Sequence, residues 1–349
     1  INGAMNAAQR GTTSSTNSSY VCDRFRTSWA GSDEVTTQEQ VALTSSDTGP
    51  WEKGFRNALK LTNGNQSSGA GVEDKLEIRY RIEAQDIACS GWDYTSSSSY
   101  ISLSFWVKSS VAQNFHGLVK SVDGTAYNYP FETGSLTADT WTKVTKIIPG
   151  NANITINNDN GNGFELILFQ MLGTDLTSTV SLNTWAPYNA ASRTPDSTTT
   201  FWTTNDATFM LTGVQLEVGN GPTEFCFVPY SEELKRCQRY YFRITGKNSQ
   251  GAGIPGYARD SDDVRFLIQY PVQMRSDPSY DGSSTSLRFR AKDTSSNFNA
   301  SDLAKINAQT NAIDGCTLQE TGSLSITAGQ AGELEWQADN GYLEFSSEL

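Results

Sequence analysis

Five aromatic residues stand among hydrogen-bonding neighbours, and they carry the clearest potential for binding chemistry. Trp92 and Tyr94 sit in a Ser-Gly-Trp-Asp-Tyr-Thr run, Trp185 and Tyr188 in Asn-Thr-Trp-Ala-Pro-Tyr-Asn, and Trp202 follows a run of threonines. A sugar has an apolar C–H face and a polar rim, so a flat ring beside amides and hydroxyls suits stacking. The same rings could instead close the ends of a sandwich or pack against a neighbouring subunit.

Other chemistry has thinner support. His116 is the sole histidine. It could serve a Ser-His-Asp triad, but no GxSxG elbow lies near it, and a loop or strand-edge histidine is the plainer reading. A single histidine also removes multi-histidine zinc sites. With 38 Asp and Glu residues, some carboxylate pair falls at a glycosidase spacing by chance, and nothing selects one. Residues 157–163 (Asn-Asn-Asp-Asn-Gly-Asn-Gly) offer oxygens for Ca²⁺ but lack the EF-hand spacing, so a polar turn competes. No catalytic residue, metal ligand or cofactor is therefore assigned, and the chain is read as no enzyme.

Composition narrows the partners. The net charge of -12 over 349 residues disfavours nucleic acid, which needs clustered Lys and Arg. No apolar run approaches the roughly 20 residues of a membrane helix, so no membrane insertion is expected. Cys22, Cys89, Cys226, Cys237 and Cys316 fit neither zinc pairs nor a disulfide framework. They read as free thilols of a protein assembled in a reducing cytoplasm. The chain opens on Ile1 rather than Met, which leaves room for a segment upstream.

The elements that must position the rings are strands. Residues 76–84 alternate apolar and charged, and Ile101, Leu103, Phe105 and Val107 alternate with Ser102, Ser104, Trp106 and Lys108. Phe55, Leu59 and Leu61 share a parity, as do Met210, Thr212, Val214, Leu216 and Val218. Residues 164–171 are apolar almost throughout, as in a central strand covered on both faces. Ser, Gly and Asn clusters separate these runs. Residues 229–241 read as a short helix capped by Ser231, connecting two domains. Beyond it, Val264 to Met274 alternate again, and Asp339-Asn340-Gly341 between alternating runs predicts a hairpin. The predicted fold is all-β: an N-terminal jelly-roll β-sandwich over 1–228, the helical connector at 229–241, and a small C-terminal β domain over 242–349.

Several motifs resemble one family. They are Thr-Gly-Val-Gln-Leu-Glu-Val-Gly at 212–219, then Pro222, Thr223, Phe225 and Pro229, Ser-Glu-Glu-Leu at 231–234 and Cys-Gln-Arg-Tyr-Tyr at 237–241. The opening Ile-Asn-Gly-Ala-Met, Ala-Gln-Arg-Gly at 8–11, Asp-Arg-Phe at 23–25, Ser-Phe-Trp-Val-Lys-Ser at 104–109, Tyr-Pro-Val-Gln-Met-Arg at 270–275 and the last seven residues add to it. Together these are similar to bacteriophage tail-fibre and related virion appendage proteins. The resemblance implies a jelly roll like those of carbohydrate-binding modules and a C-terminal domain that trimerises. It implies a virion protein attaching to a host-surface glycan, with itself as homotrimer and other virion proteins as partners. A purely structural decoration, collar or adaptor role is the alternative, and a glycan depolymerase a more distant one, since no β-helix repeat is present. Large apolar residues on both parities of the C-terminal strands, Leu267 and Leu343 among them, also call for a cover, which a neighbouring subunit or the same chain could supply.

Overall fold

The structure, a computed structural model, describes residues 1–247, 251–293, 295–306, 313–322 and 324–349. It is all-β, built from sandwiched sheets, with only short helices. The chain divides into two compact units, Ile1–Glu233 with Leu349, and Leu234–Glu348.

The strands of the first unit, in chain order, are β1 (Thr13–Ser14), β2 (Phe25–Ala30), β3 (Thr37–Ala42), β4 (Asn57–Thr62), β5 (Lys75–Glu83), β6 (Tyr100–Ser109), β7 (Asn114–Ser121), β8 (Tyr127–Ser135), β9 (Thr142–Pro149), β10 (Asn162–Leu172), β11 (Ala186–Pro187) and β12 (Thr208–Val218). They form two six-stranded sheets, ordered β1-β3-β4-β12-β6-β9 and β11-β8-β7-β10-β5-β2. Strands far apart in sequence become neighbours, as in a jelly roll. The core lies between the sheets. Leu59, Leu61, Leu103, Phe105, Val107 and Leu211 meet Phe25, Leu76, Ile78, Phe164, Leu166 and Leu168 there. β10 is covered on both faces, because Leu118, Ile167, Phe169 and Leu172 form a second apolar cluster.

Two parity readings need correction. Phe55 precedes β4 and joins a different apolar cluster from Leu59 and Leu61. Residues 210–218 do not present one face. The register of β12 against β6 shifts between Thr212 and Gln215, so Met210 and Thr212 share one face while Leu216, opposite Leu103, lies on the other. A bulge reverses parity in this way, and Gly213, at φ +65, takes a conformation that side chains resist.

In the second unit, Tyr241–Thr245, Tyr342–Ser346 and Ser279–Gly282 form a three-stranded sheet. A seven-stranded sheet runs Ser295–Asn299, Ser286–Ala291, Ala331–Trp336, Gly251–Ala258, Asp263–Gln269, Gly315–Thr321, Ala304–Lys305. The expected hairpin at Asp339-Asn340-Gly341 is absent. Ala331–Trp336 and Tyr342–Ser346 pair with other strands in different sheets. Asn340, at φ +63, turns the chain over the Trp336 ring, which would meet a Cβ on Gly341 at 2.5 Å. Leu343 needs no neighbouring subunit, since it is buried in the unit's own core, whereas Leu267 is 62% exposed.

The helix between the strands spans Tyr230–Gln238. Ser231 lies inside its first turn rather than capping it. Glu232 and Glu233 donate their N–H groups to the Pro229 carbonyl.

Candidate functional site

The solvent side of the β1-β3-β4-β12-β6-β9 sheet carries a cleft with an aromatic floor. On β6, Trp106 shares the parity of Tyr100, Ser102, Ser104 and Lys108. It stands opposite Thr212, just before the β12 bulge. A Cβ on Gly213 would come within 2.7 Å of Phe55 Cζ and 3.0 Å of Trp106 Cδ1. A Cβ on Gly49, at φ +99, would meet Trp106 Cζ3 at 2.7 Å. Two glycines thus let backbone reach the indole where other residues would push it away. Phe55 meets Phe225 edge-on at 4.8 Å and Phe227 at 5.1 Å. Phe227 remains 46% exposed. The cleft is a shallow groove with about 40 Å³ of room for water-sized molecules, and Lys53, Ser104, Lys143, Thr223 and Glu224 complete its lining. That is well below the roughly 300–1,000 Å³ of an enclosed small-ligand pocket.

Two polar clamps hold the rings. Asp47 accepts from Lys108 Nζ at 2.8 Å, Trp141 Nε1 at 2.9 Å and the Thr44 N–H at 3.0 Å. Burial works against the Asp47 charge, but these donors outweigh it and hold the carboxyl down at about 2. The loop after β3, which carries Trp51 and Phe55, is thereby pinned to the sheet, and Arg56 stacks over Trp51 at 3.7 Å. On the other side Glu217 accepts the Thr223 N–H and hydroxyl, both at 2.7 Å, and Gln215 Nε2 at 2.9 Å. Gln215 Oε1 takes the Cys226 N–H at 3.0 Å. This fixes the segment bearing Phe225 and Phe227. Flat apolar surface ringed by hydroxyl, ammonium and carboxylate groups is what a sugar's two-sided chemistry requires.

The rings singled out in the sequence lie elsewhere. Trp202 is fully buried, donating to the Gly69 carbonyl at 2.9 Å, and Trp92 is 3% exposed. Both belong to the core, so the stacking role expected for them is corrected: neither has a free face. Their loops fold inward because each indole finds apolar cover and a backbone carbonyl for its N–H. Trp92 lies 6.2 Å from Tyr94 and 6.0 Å from Phe164, and Phe164 is 6.4 Å from Trp185. Three of the five thus gather at one end of the sandwich. Tyr94 and Trp185 are half-buried against the core there, and Trp185 donates to the Pro149 carbonyl at 2.7 Å. Tyr188 is separate, under Lys120 Nζ at 4.5 Å. Sequence reasoning missed Trp51, Phe55, Trp106, Phe225 and Phe227. Trp106 on the polar parity of β6 was the available signal.

His116 is not in a loop but inside β7, buried, and shares a hydrogen bond at 3.1 Å with Ser197 Oγ. Burial lowers its pKa, with Glu132 opposing. The oxygens at 157–163 are turned to local hydrogen bonds: Asp123 accepts from Asn157, and Asp159 from the Gly161 N–H. Among the described residues no group of three or more His, Cys, Asp or Glu is placed to hold a metal, and no helix is long and apolar enough to cross a membrane.

No family model matches the chain, and no curated protein matches it. Its structural neighbours are all-β and include a tailspike domain and carbohydrate-binding modules. The enzymatically active domain of bacteriophage CBA120 tailspike protein 4 is 11% identical, over 56% of this chain and 19% of that one, with a TM-score of 0.32. The N-terminal cellulose-binding domain of Cellulomonas fimi β-1,4-glucanase C is 13% identical, over 62% and 100%, with a TM-score of 0.29. The family 11 carbohydrate-binding module from Clostridium thermocellum is 11% identical, over 59% and 95%, with a TM-score of 0.26.

Proposed function

We propose that this chain is a phage virion protein of tail-fibre type that binds a host-surface glycan without turning it over. The cleft lined by Phe55, Trp106, Phe225 and Phe227 carries the reading. Its rings are held by clamps before any ligand arrives, so little ordering is left to oppose binding. The virion assignment rests on the sequence motifs at 212–241. The protein works as a homotrimer alongside other virion proteins, with Leu267 and Tyr257, 62% and 47% exposed, as apolar surface for a neighbouring copy. A glycan array probed with the assembled oligomer tests the binding. Saturable binding without release of reducing ends supports it. Sustained release of reducing ends that stops with His116→Ala would make the protein a depolymerase instead.

Phe227, 46% exposed, favours a second reading in which the same surface docks another virion protein and no host molecule. An empty array together with retained particle assembly selects that role.

A further inference from the structure

Six asparagines precede a glycine: Asn2, Asn63, Asn160, Asn162, Asn220 and Asn340. Such a pair can convert itself, because glycine has no side chain to keep its backbone nitrogen away from the preceding amide. The reaction needs a free asparagine side chain, a free glycine N–H and backbone that can rotate. The fold withholds these from five of the six. Asn2 is buried and gives Nδ2 to the Ala7 and Asp23 carbonyls, each at 2.9 Å. Asn63 is buried, donating to the Trp202 carbonyl at 2.7 Å and accepting from Gln66 at 3.2 Å. After Asn160, the Gly161 N–H is taken by Asp159 at 2.9 Å. Asn162 starts β10 and donates to Glu165 at 2.9 Å. Asn340 gives its N–H to the Gly246 carbonyl, and the Gly341 carbonyl accepts from Gly246 at 2.6 Å, with Gly341 buried against Trp336.

Asn220-Gly221 differs. Asn220 is exposed. Among the described residues, neither its side chain nor the Gly221 N–H has a hydrogen-bond partner. Nothing lies within 4 Å of where a Cβ on Gly221 would stand. The pair spans two anchored points: the Gly219 N–H donates to the Tyr100 carbonyl at 2.9 Å, and the Thr223 N–H to Glu217 at 2.7 Å.

We propose that Asn220 is a site of spontaneous deamidation. The Gly221 backbone nitrogen attacks the side-chain carbonyl carbon of Asn220. The new C–N bond closes a succinimide ring, the bond to the amide NH₂ breaks, and ammonia leaves with the proton given up by the Gly221 nitrogen. Water then adds to either ring carbonyl and opens the ring to aspartate or isoaspartate. Neither step changes an oxidation state. Both products add a carboxylate to a segment that already carries Glu217 and Glu224. Isoaspartate also inserts a methylene into the backbone between the two anchored points, and so displaces the Thr223 end of the Glu217 clamp.

The test incubates the full native chain at mildly alkaline pH and follows all six pairs by peptide mapping with mass spectrometry, which reads the exchange of NH₂ for OH. Enzymatic methylation of isoaspartate identifies the rearranged product. The peptide holding Asn220 is expected to convert about tenfold or more faster than those holding Asn63 and Asn340, which react only from locally opened states. In urea the six rates should converge, because the protection of the other five comes from the fold. Asn220→Gln should remove the early product and leave the slower ones. Native conversion at another pair before Asn220, equal native rates at all six, or an Asn220 that stays intact in the native chain while it converts in urea would each overturn the proposal.

Discussion

Trp141 donates its indole N–H to Asp47 at 2.9 Å, and Lys108 reaches the same carboxylate oxygen at 2.8 Å. This one carboxylate ties the loop after β3 to β6 and to the residue before β9, and so sets the near wall of the cleft. Asp47→Ala leaves both donors without their partner. The expected loss is about 1–3 kcal/mol of stability, read by urea denaturation, together with weaker glycan binding. Unchanged stability would show that the loop is held by its rings alone.

The acid response follows from two carboxylates. Asp47 is held at about 2 by Lys108, Trp141 and Thr44 against the cost of burial. Glu165 is held at about 2 by Arg79, Lys120 and Arg81, again against burial. Both lie below their unfolded values of about 4. Their contribution is therefore complete above pH of about 4 and is lost as pH falls through about 2. Circular dichroism from neutral pH downward should show unfolding or loosening in that window. A transition already complete at pH of about 5 would contradict this.

Core and site aromatics should separate in mutagenesis. Trp202→Ala empties a fully buried position and should cost about 3–5 kcal/mol. Trp106→Ala, on the solvent side of the sheet, should leave a cooperative transition close to that of the parent. A folded Trp202→Ala variant with impaired sugar binding would return that ring to the list of ligand contacts.

The difference between those two tryptophans marks how far sequence alone could go. Alternation identified β5 and β6, since one face of each supplies apolar side chains to the core, and the all-β fold followed from it. It did not show that Glu77, Glu83, Ser102 and Ser104 on the polar faces are buried too. The same alternation placed Trp106 on the polar side. What it could not show is where loops end up. Trp92 and Trp202 sit among serines and threonines, yet their loops fold into the core. The bulge at Gly213 moved Met210 and Leu216 to opposite faces, and a strict period cannot anticipate one inserted residue. Phe225 and Phe227 reach Phe55 only because Gln215 and Glu217 fasten their segment back, a contact across 8–11 residues that spacing does not encode. His116 and Ser197 are 81 residues apart, and no motif joins them.

The cysteines make a separate prediction. None of the five is in a disulfide; Cys89 and Cys226 are exposed, while Cys22, Cys237 and Cys316 are buried. Burial also raises the pKa of Cys22 and Cys316, which keeps them as unreactive thiols. Thiol titration of native protein should find the two exposed groups quickly, and denaturation should release all five. Only one thiol after denaturation would mean disulfides and a different compartment.

Glycan binding by the Trp106 cleft can be measured directly. Its most direct test is calorimetric titration of a sugar found on the array against the parent protein, Trp106→Ala and Phe227→Ala. Saturable binding by the parent is expected, with a loss of about tenfold or more in each variant at unchanged melting temperature, as when an aromatic contact is removed. Full affinity in both folded variants would contradict it.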